Sequence, residues 1–312
     1  MDALIVILGV IALYAFYRDI QAHREDFRRE MKVGGHRKSI IAVIMFVVLF
    51  FFDTLGIGSY APIAACCKIF KITRDTYIAG TLNVASVGMT IFSGIIFITS
   101  IAVGNITLIS VFAATVIGAY VGAGAVSRLN LDRMRVGIGL GLAIVSVILI
   151  LKFFGLLTFP GEQGVFEVGG WRLAILVLVG LVFGALMTIG VGIYAPMFAC
   201  VSLVGMDPSC AFPLAMGSCA LLIPTAATRF CLESAKSKRP MYDRKLSLIA
   251  ILTGWIGVIV AAYFVTSMPL YYLNIIVILV VIYTAATMLY QGLRKSVDTV
   301  ALAEDAEMES ME

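Results

Sequence analysis

Charge is what this sequence has least of. Only 13% of its 312 residues are Asp, Glu, Lys or Arg, against 61% apolar residues, a balance that leaves too little polarity to cover a water-soluble globule. Histidine is almost missing. His23 and His36 both lie in one polar stretch, which excludes a Ser–His hydrolase working within the apolar segments. Asp53 is the single carboxylate well inside an apolar run, so an aspartic dyad is excluded too, and no enzyme is expected. The six cysteines, Cys66, Cys67, Cys200, Cys210, Cys219 and Cys231, show neither CxxC nor Cys/His spacing and read as small buried hydrophobes. No metal, cofactor or nucleic-acid partner is implied. Markedly polar stretches are confined to Arg18–Lys38, Glu233–Lys245 and the acidic tail after Lys295. Each is too short to fold alone, and they read as loops and a tail.

What is present is apolar length. Stretches of 18 or more apolar residues, enough to cross a hydrocarbon core of about 30 Å, recur from end to end. Polar and Gly/Pro interruptions divide them into spans near 3–17, 75–102, 108–127, 136–158, 207–230, 246–266 and 274–293, with two longer broken segments at 39–72 and 171–205. The expectation is an all-α polytopic membrane protein, with the broken segments as re-entrant hairpins and about seven transmembrane helices. Ala3–Tyr17 has no basic residue ahead of it and no small-x-small cleavage site, so it reads as a retained, short first span. With Arg18–Lys38 in the cytoplasm, the clusters at Lys68–Arg74, Arg128–Arg135, Arg229–Lys245 and Arg294–Lys295 fall inside as well. That orientation puts the N-terminus outside a cell (inner) membrane and the C-terminus in the cytoplasm. Lys152 reads as a snorkelling side chain and Arg172, beside Trp171, as an interfacial one.

The segment Thr54-Leu-Gly-Ile-Gly-Ser-Tyr-Ala-Pro62-Ile-Ala-Ala-Cys66 recurs as Thr188-Ile-Gly-Val-Gly-Ile-Tyr-Ala-Pro196-Met-Phe-Ala-Cys200, offset by 134 residues. The downstream spans keep step. The chain therefore divides into residues 1–38 (first span and basic loop), 39–160 (first repeat), 171–293 (second repeat) and 294–312 (acidic tail). Because the two units begin on opposite sides, the repeat is expected to be inverted, the arrangement of secondary transporters with a midplane site.

Gly56, Gly58 and Pro62, like Gly190, Gly192 and Pro196, interrupt apolar helices, and a half-helix is expected to start at each proline. Irregular backbone at that depth must be buried or line a wet cavity, and helix N-termini there favour an anion. The candidate substrate contacts are Gly56, Gly58, Ser59, Tyr60, Gly190, Gly192 and Tyr194 at the tips. Asn83, Ser218, Thr225 and Arg229 join them from the following spans. Asn83 shares a face with Thr90 and Gly94, and Ser218 with Thr225 and Arg229; the hydroxyls equally read as interhelical glue, and Arg229 as a boundary residue. Asp53 is either a proton-coupling carboxylate or a cap for the broken backbone.

The paired Gly-x-Gly-x-Tyr-Ala-Pro segments, Gly80-Thr-Leu-Asn-Val84, Ala211-Phe-Pro-Leu-Ala-Met-Gly-Ser-Cys219 and Tyr242-Asp-Arg-Lys245 resemble the TauE/SafE family of sulfite and organosulfonate exporters. The resemblance covers about residues 39–293. It departs at Ala79, where many relatives carry proline before the Gly-Thr pair. It implies alternating-access transport of a small sulfur-containing anion such as sulfite, sulfoacetate or another organosulfonate, with protons as the coupling ion if Asp53 titrates. A carrier for another small anion, such as a carboxylate, and a non-transporting membrane sensor or assembly subunit are the alternatives.

Overall fold

The computed structural model describes residues 2–32, 35–70, 72–125, 131–156, 164–187, 192–236 and 240–309, and their regular structure is helical throughout. In chain order the helices are α1 (Asp2–Ala22), α2 (Arg24–Lys32), α3 (Gly35–Thr54), α4 (Tyr60–Ile69), α5 (Ile78–Ser100), α6 (Asn105–Ala125), α7 (Leu131–Phe153), α8 (Gly170–Met187), α9 (Tyr194–Leu203), α10 (Ala211–Lys236), α11 (Arg244–Ser267) and α12 (Leu270–Glu309). Six helices among the described residues are long and apolar enough to cross a membrane. Large aliphatic and aromatic side chains face outward along them, among them Val10, Tyr14, Leu178, Leu252 and Tyr263. A helical bundle with an apolar exterior is a polytopic membrane protein.

The polar stretches depart from their expected loops. The first helix runs 21 residues rather than ending at Tyr17, because Asp19 finds a buried partner in Arg244 and the helix continues through it. Arg24–Lys32 is helical, built from strong helix formers with Glu25 and Asp26 in its first turn. Residues 233–236 extend α10, and α12 continues through the acidic tail to Glu309, where neither Gly nor Pro follows Gly292 to stop it.

The most enclosed of the membrane-length helices are α5 and α10, which are repeat mates. They cross where a Cβ on Gly94 would run into Ala220, and α1 packs across both. Around them, α3 lies on α11 and α8 lies on α6, a reciprocal exchange between the two halves. Both contacts are made by glycines. A Cβ at Gly257 would enter the Val47 carbonyl oxygen, and one at Gly118 or Gly184 would enter the carbonyl of Leu181 or Thr115. Small residues let backbones approach this closely where lipid offers no hydrophobic driving force. Gly118→Leu or Gly257→Leu should therefore push the helices apart and lower the thermal midpoint in detergent, at a cost of about 1–3 kcal/mol or more.

The ends of the bundle can be traced by contacts. Lys38 of α3 and Arg244 of α11 line one cavity, and the Asp243 N–H donates to Thr81 Oγ1 at 2.9 Å, so α3, α5 and α11 start at one end. Beyond α4, Ile72–Arg74 line that same cavity, so the chain has returned to the end it left. At the opposite end, where α5 finishes, Thr107 Oγ1 of α6 bonds to the Val168 backbone, placing the start of α8 there. After α9 the Asp207 N–H donates to the Val165 carbonyl at 3.0 Å, so this segment also returns to its own starting end.

Candidate functional site

The first interruption is a helix stop followed by a helix start. At the end of α3, Gly56 has φ +96° and its N–H donates to the Asp53 carbonyl at 2.8 Å, a left-handed stop that glycine makes without Cβ strain. The α9 residue Phe198 lies where a Gly56 side chain would be. Gly58 is also left-handed, φ +83°, but no atom lies within 4 Å of where its Cβ would be; its bare backbone faces space.

The half-helices α4 and α9 are 10 residues each, about 15 Å long, and start at Tyr60 and Tyr194 rather than at Pro62 and Pro196. Each proline sits third, and any position in a first turn tolerates it because the N–H groups there have no intrahelical acceptor. The second interruption, 188–191, lies outside the described residues, and Gly190 with it.

The first interruption and the start of α9 meet at Asp53. The carboxylate is buried; its Oδ1 accepts a short hydrogen bond from the Ser59 N–H at the N-terminus of α4, and its Oδ2 accepts from the Tyr194 hydroxyl at 3.1 Å. The cap geometry is thus present, made by Asp53 instead of the Ser59 side chain, which forms no cap bond. Tyr60 lies near both Asp53 and Tyr194, with its hydroxyl toward Ser86 of α5, and the Cys219 thiol of α10 lies beside Tyr194. Three buried hydroxyls, Ser59 Oγ, Tyr60 Oη and Ser86 Oγ, gather here without a well-formed hydrogen bond, Ser59 beside the Asp53 carboxylate and Tyr60 facing Ser86.

Of the sequence candidates, the structure brings Gly56, Gly58, Ser59, Tyr60, Tyr194 and Asp53 together. Gly192 lies on an exposed, open stretch. Asn83, one turn before Ser86, donates to its own helix at Ala79. Ser218 bonds Leu214 and lies 3.3 Å from Thr115 Oγ1, joining α10 to α6. Thr225 donates to Leu221 from an exposed position. Arg229, 80% exposed, pairs with Glu233 at 2.9 Å on the surface of α10. Ser86 and Cys219 are additions. Ser86 is signalled by its place three residues after Asn83 on the same helical face; Cys219 has no signal beyond its neighbour Ser218.

A second buried polar cluster ties α1 to the start of α11. Arg244, 1% exposed, holds Asp19 through Nε at 2.6 Å and Nη2 at 3.3 Å, and the Tyr242 hydroxyl donates to the same carboxylate at 2.7 Å. Ser234 and Glu30 complete the guanidinium's shell. Burial pushes the Glu30 carboxyl above its usual range against the opposing charge of Arg244, and burial likewise raises the Tyr242 hydroxyl. The sequence reading missed this pair, since Asp19 and Arg244 look like ordinary flanking charges.

Comparison with known proteins gives no match to a family model, a curated protein or a solved structure.

Proposed function

We propose that the chain is a secondary transporter of a small oxyanion, built as an inverted repeat with α3–α4 and α8–α9 as re-entrant hairpins whose tips form the site. The observation that carries this reading is the Asp53–Tyr194 hydrogen bond, which joins the first interruption to the start of α9, with the buried hydroxyls of Ser59, Tyr60 and Ser86 clustered beside it. Hydroxyl groups clustered in a dry interior suit the oxygens of an anion. The hairpin reading is supported by the return of each broken segment to its own starting end. The inversion is supported by the placement of α3 and α8 at opposite ends and by the reciprocal pairing of α3 with α11 and α8 with α6. The resemblance to the TauE/SafE family adds the substrate class: sulfite, sulfoacetate or another organosulfonate.

Asp53 gives the site its coupling logic. Its carboxylate already occupies the N-terminus of α4, where an incoming anion would gain from the same N–H and helix dipole. Two negative charges repel there, so the anion binds better once Asp53 is protonated. Protons and substrate then travel together.

Calorimetry on purified protein against sulfite, thiosulfate, sulfoacetate, taurine and simple carboxylates tests the class. Saturable binding of sulfite or a sulfonate, with carboxylates weaker, is expected; preference for carboxylates would move the reading to another small anion, and no binding by any of them would remove it. Gly58→Ala is expected to fold, because its Cβ meets open space and the left-handed backbone costs only about 1–2 kcal/mol. Its transport should be lost in a flux assay, because the methyl occupies the ligand's approach.

A further inference from the structure

A cavity of about 670 Å³ opens at the end of the bundle where α3, α5 and α11 start, well away from Asp53. Five basic side chains line it, Arg29, Lys38, Arg74, Arg244 and Lys245, against three acidic ones, Asp26, Glu30 and Asp243. Within the cavity Glu30 pairs with Arg244 and Asp243 caps α11 through the Leu246 N–H at 2.8 Å; the other basic lining residues, Arg29, Lys38, Arg74 and Lys245, outnumber the other acidic one, Asp26. The floor is apolar, formed by Ala42, Leu246 and Ile249. Thr73 contributes to the lining, and its hydroxyl is buried without a hydrogen-bond partner. At the mouth, the Arg74 guanidinium lies over the Tyr77 ring, 5.9 Å from its centroid.

This combination has a physical logic. Two of the helices that start here, α5 and α11, are long and apolar enough to cross a membrane, so the cavity sits at the level of lipid headgroups, and its walls are basic while its floor is aliphatic. Basic pockets between transmembrane helices at that level hold phosphate-bearing headgroups, the cations meeting the phosphate and the apolar surface meeting the glycerol and first methylenes. The volume lies within the range of sites that enclose a small ligand. A rigid back wall is already in place, because Arg244 is locked by Asp19.

We propose that this cavity binds a phosphate group, carried by the headgroup of an anionic membrane phospholipid. Bound there, the lipid bridges α2, α3 and α11 beside the Asp19–Arg244 pair. This site is separate from the one between the hairpin tips, and its test does not depend on what the protein transports.

Native mass spectrometry of the full chain, released from detergent with phosphatidylglycerol or phosphatidylcholine of matched acyl chains, reads the site directly. The phosphatidylglycerol adduct is expected to be retained in clear preference. The double variant Arg29→Gln/Arg74→Gln, both exposed positions outside the Arg244 cluster, should lower its retention by roughly tenfold or more. Arg29→Lys/Arg74→Lys should restore it, which separates lost charge from lost fold. A further arm adds millimolar inorganic phosphate: persistence of the adduct assigns the site to the lipid, and its displacement assigns it to the phosphate group itself. Equal retention of the two lipids, or wild-type retention by the Gln variant, would overturn the proposal.

Discussion

Asp53→Asn is expected to leave substrate exchange across the membrane intact while abolishing accumulation driven by a pH gradient. Asparagine keeps the shape of the junction: its Oδ1 can accept the Ser59 N–H as the carboxylate does, and its amide still reaches the Tyr194 hydroxyl. Only the charge and its titration are removed. In the wild type, anion affinity should rise as pH falls through the titration of Asp53, and by linkage a coupling of about 1.4 kcal/mol corresponds to roughly tenfold in affinity. The Asn variant should bind with little dependence on pH. Asp53→Ala is a different experiment, because it strands the buried Ser59 N–H at a cost of about 1–3 kcal/mol and confounds coupling with folding. Gradient-driven uptake by Asp53→Asn with the wild-type pH profile would reduce Asp53 to a cap.

The largest effect on stability is expected from Arg244→Met. It leaves the Asp19 carboxylate, 0% exposed, with the Tyr242 hydroxyl and the His23 ring at 3.3 Å and without the guanidinium. Removing one partner of a buried ion pair costs about 3–5 kcal/mol, because the remaining charge stays desolvated. Asp19→Asn/Arg244→Met removes both charges and should recover a substantial part of that loss, so a double-mutant cycle on thermal unfolding in detergent isolates the pair. Single variants that sum to the double would show that the pair does not hold α1 to α11.

The sequence carried the architecture further than the site. Broken segments were visible because glycine and proline leave a mark wherever a helix must stop, and α4 and α9 start and end 134 residues apart, the offset of the repeat. Helix ends were less visible. Arg18–Lys38 and the tail after Lys295 read as loops because polarity was taken as a boundary, whereas Glu, Arg and Ala favour helix regardless of solvent. At the site, the first interruption is legible because Gly56 and Gly58 mark its left-handed backbone. Ser218, Thr225 and Arg229 stand out by polarity and helical spacing, and those features do not tell a hydroxyl aimed at a cavity from one turned to its own carbonyl. The Asp53–Tyr194 and Asp19–Arg244 contacts join residues far apart in the chain, and no local pattern encodes such pairs.

The central claim is that the two hairpins enter from opposite faces of the membrane and share one site. The most direct test is sidedness of labelling in a variant whose native cysteines have been replaced. Gly169→Cys, at an open position just ahead of α8, and Lys236→Cys, at the end of α10, are each exposed in intact cells to a thiol reagent that does not cross the membrane, and then again after permeabilisation. Position 169 is expected to label from outside and position 236 only after permeabilisation. Labelling of both from the same side would contradict the claim.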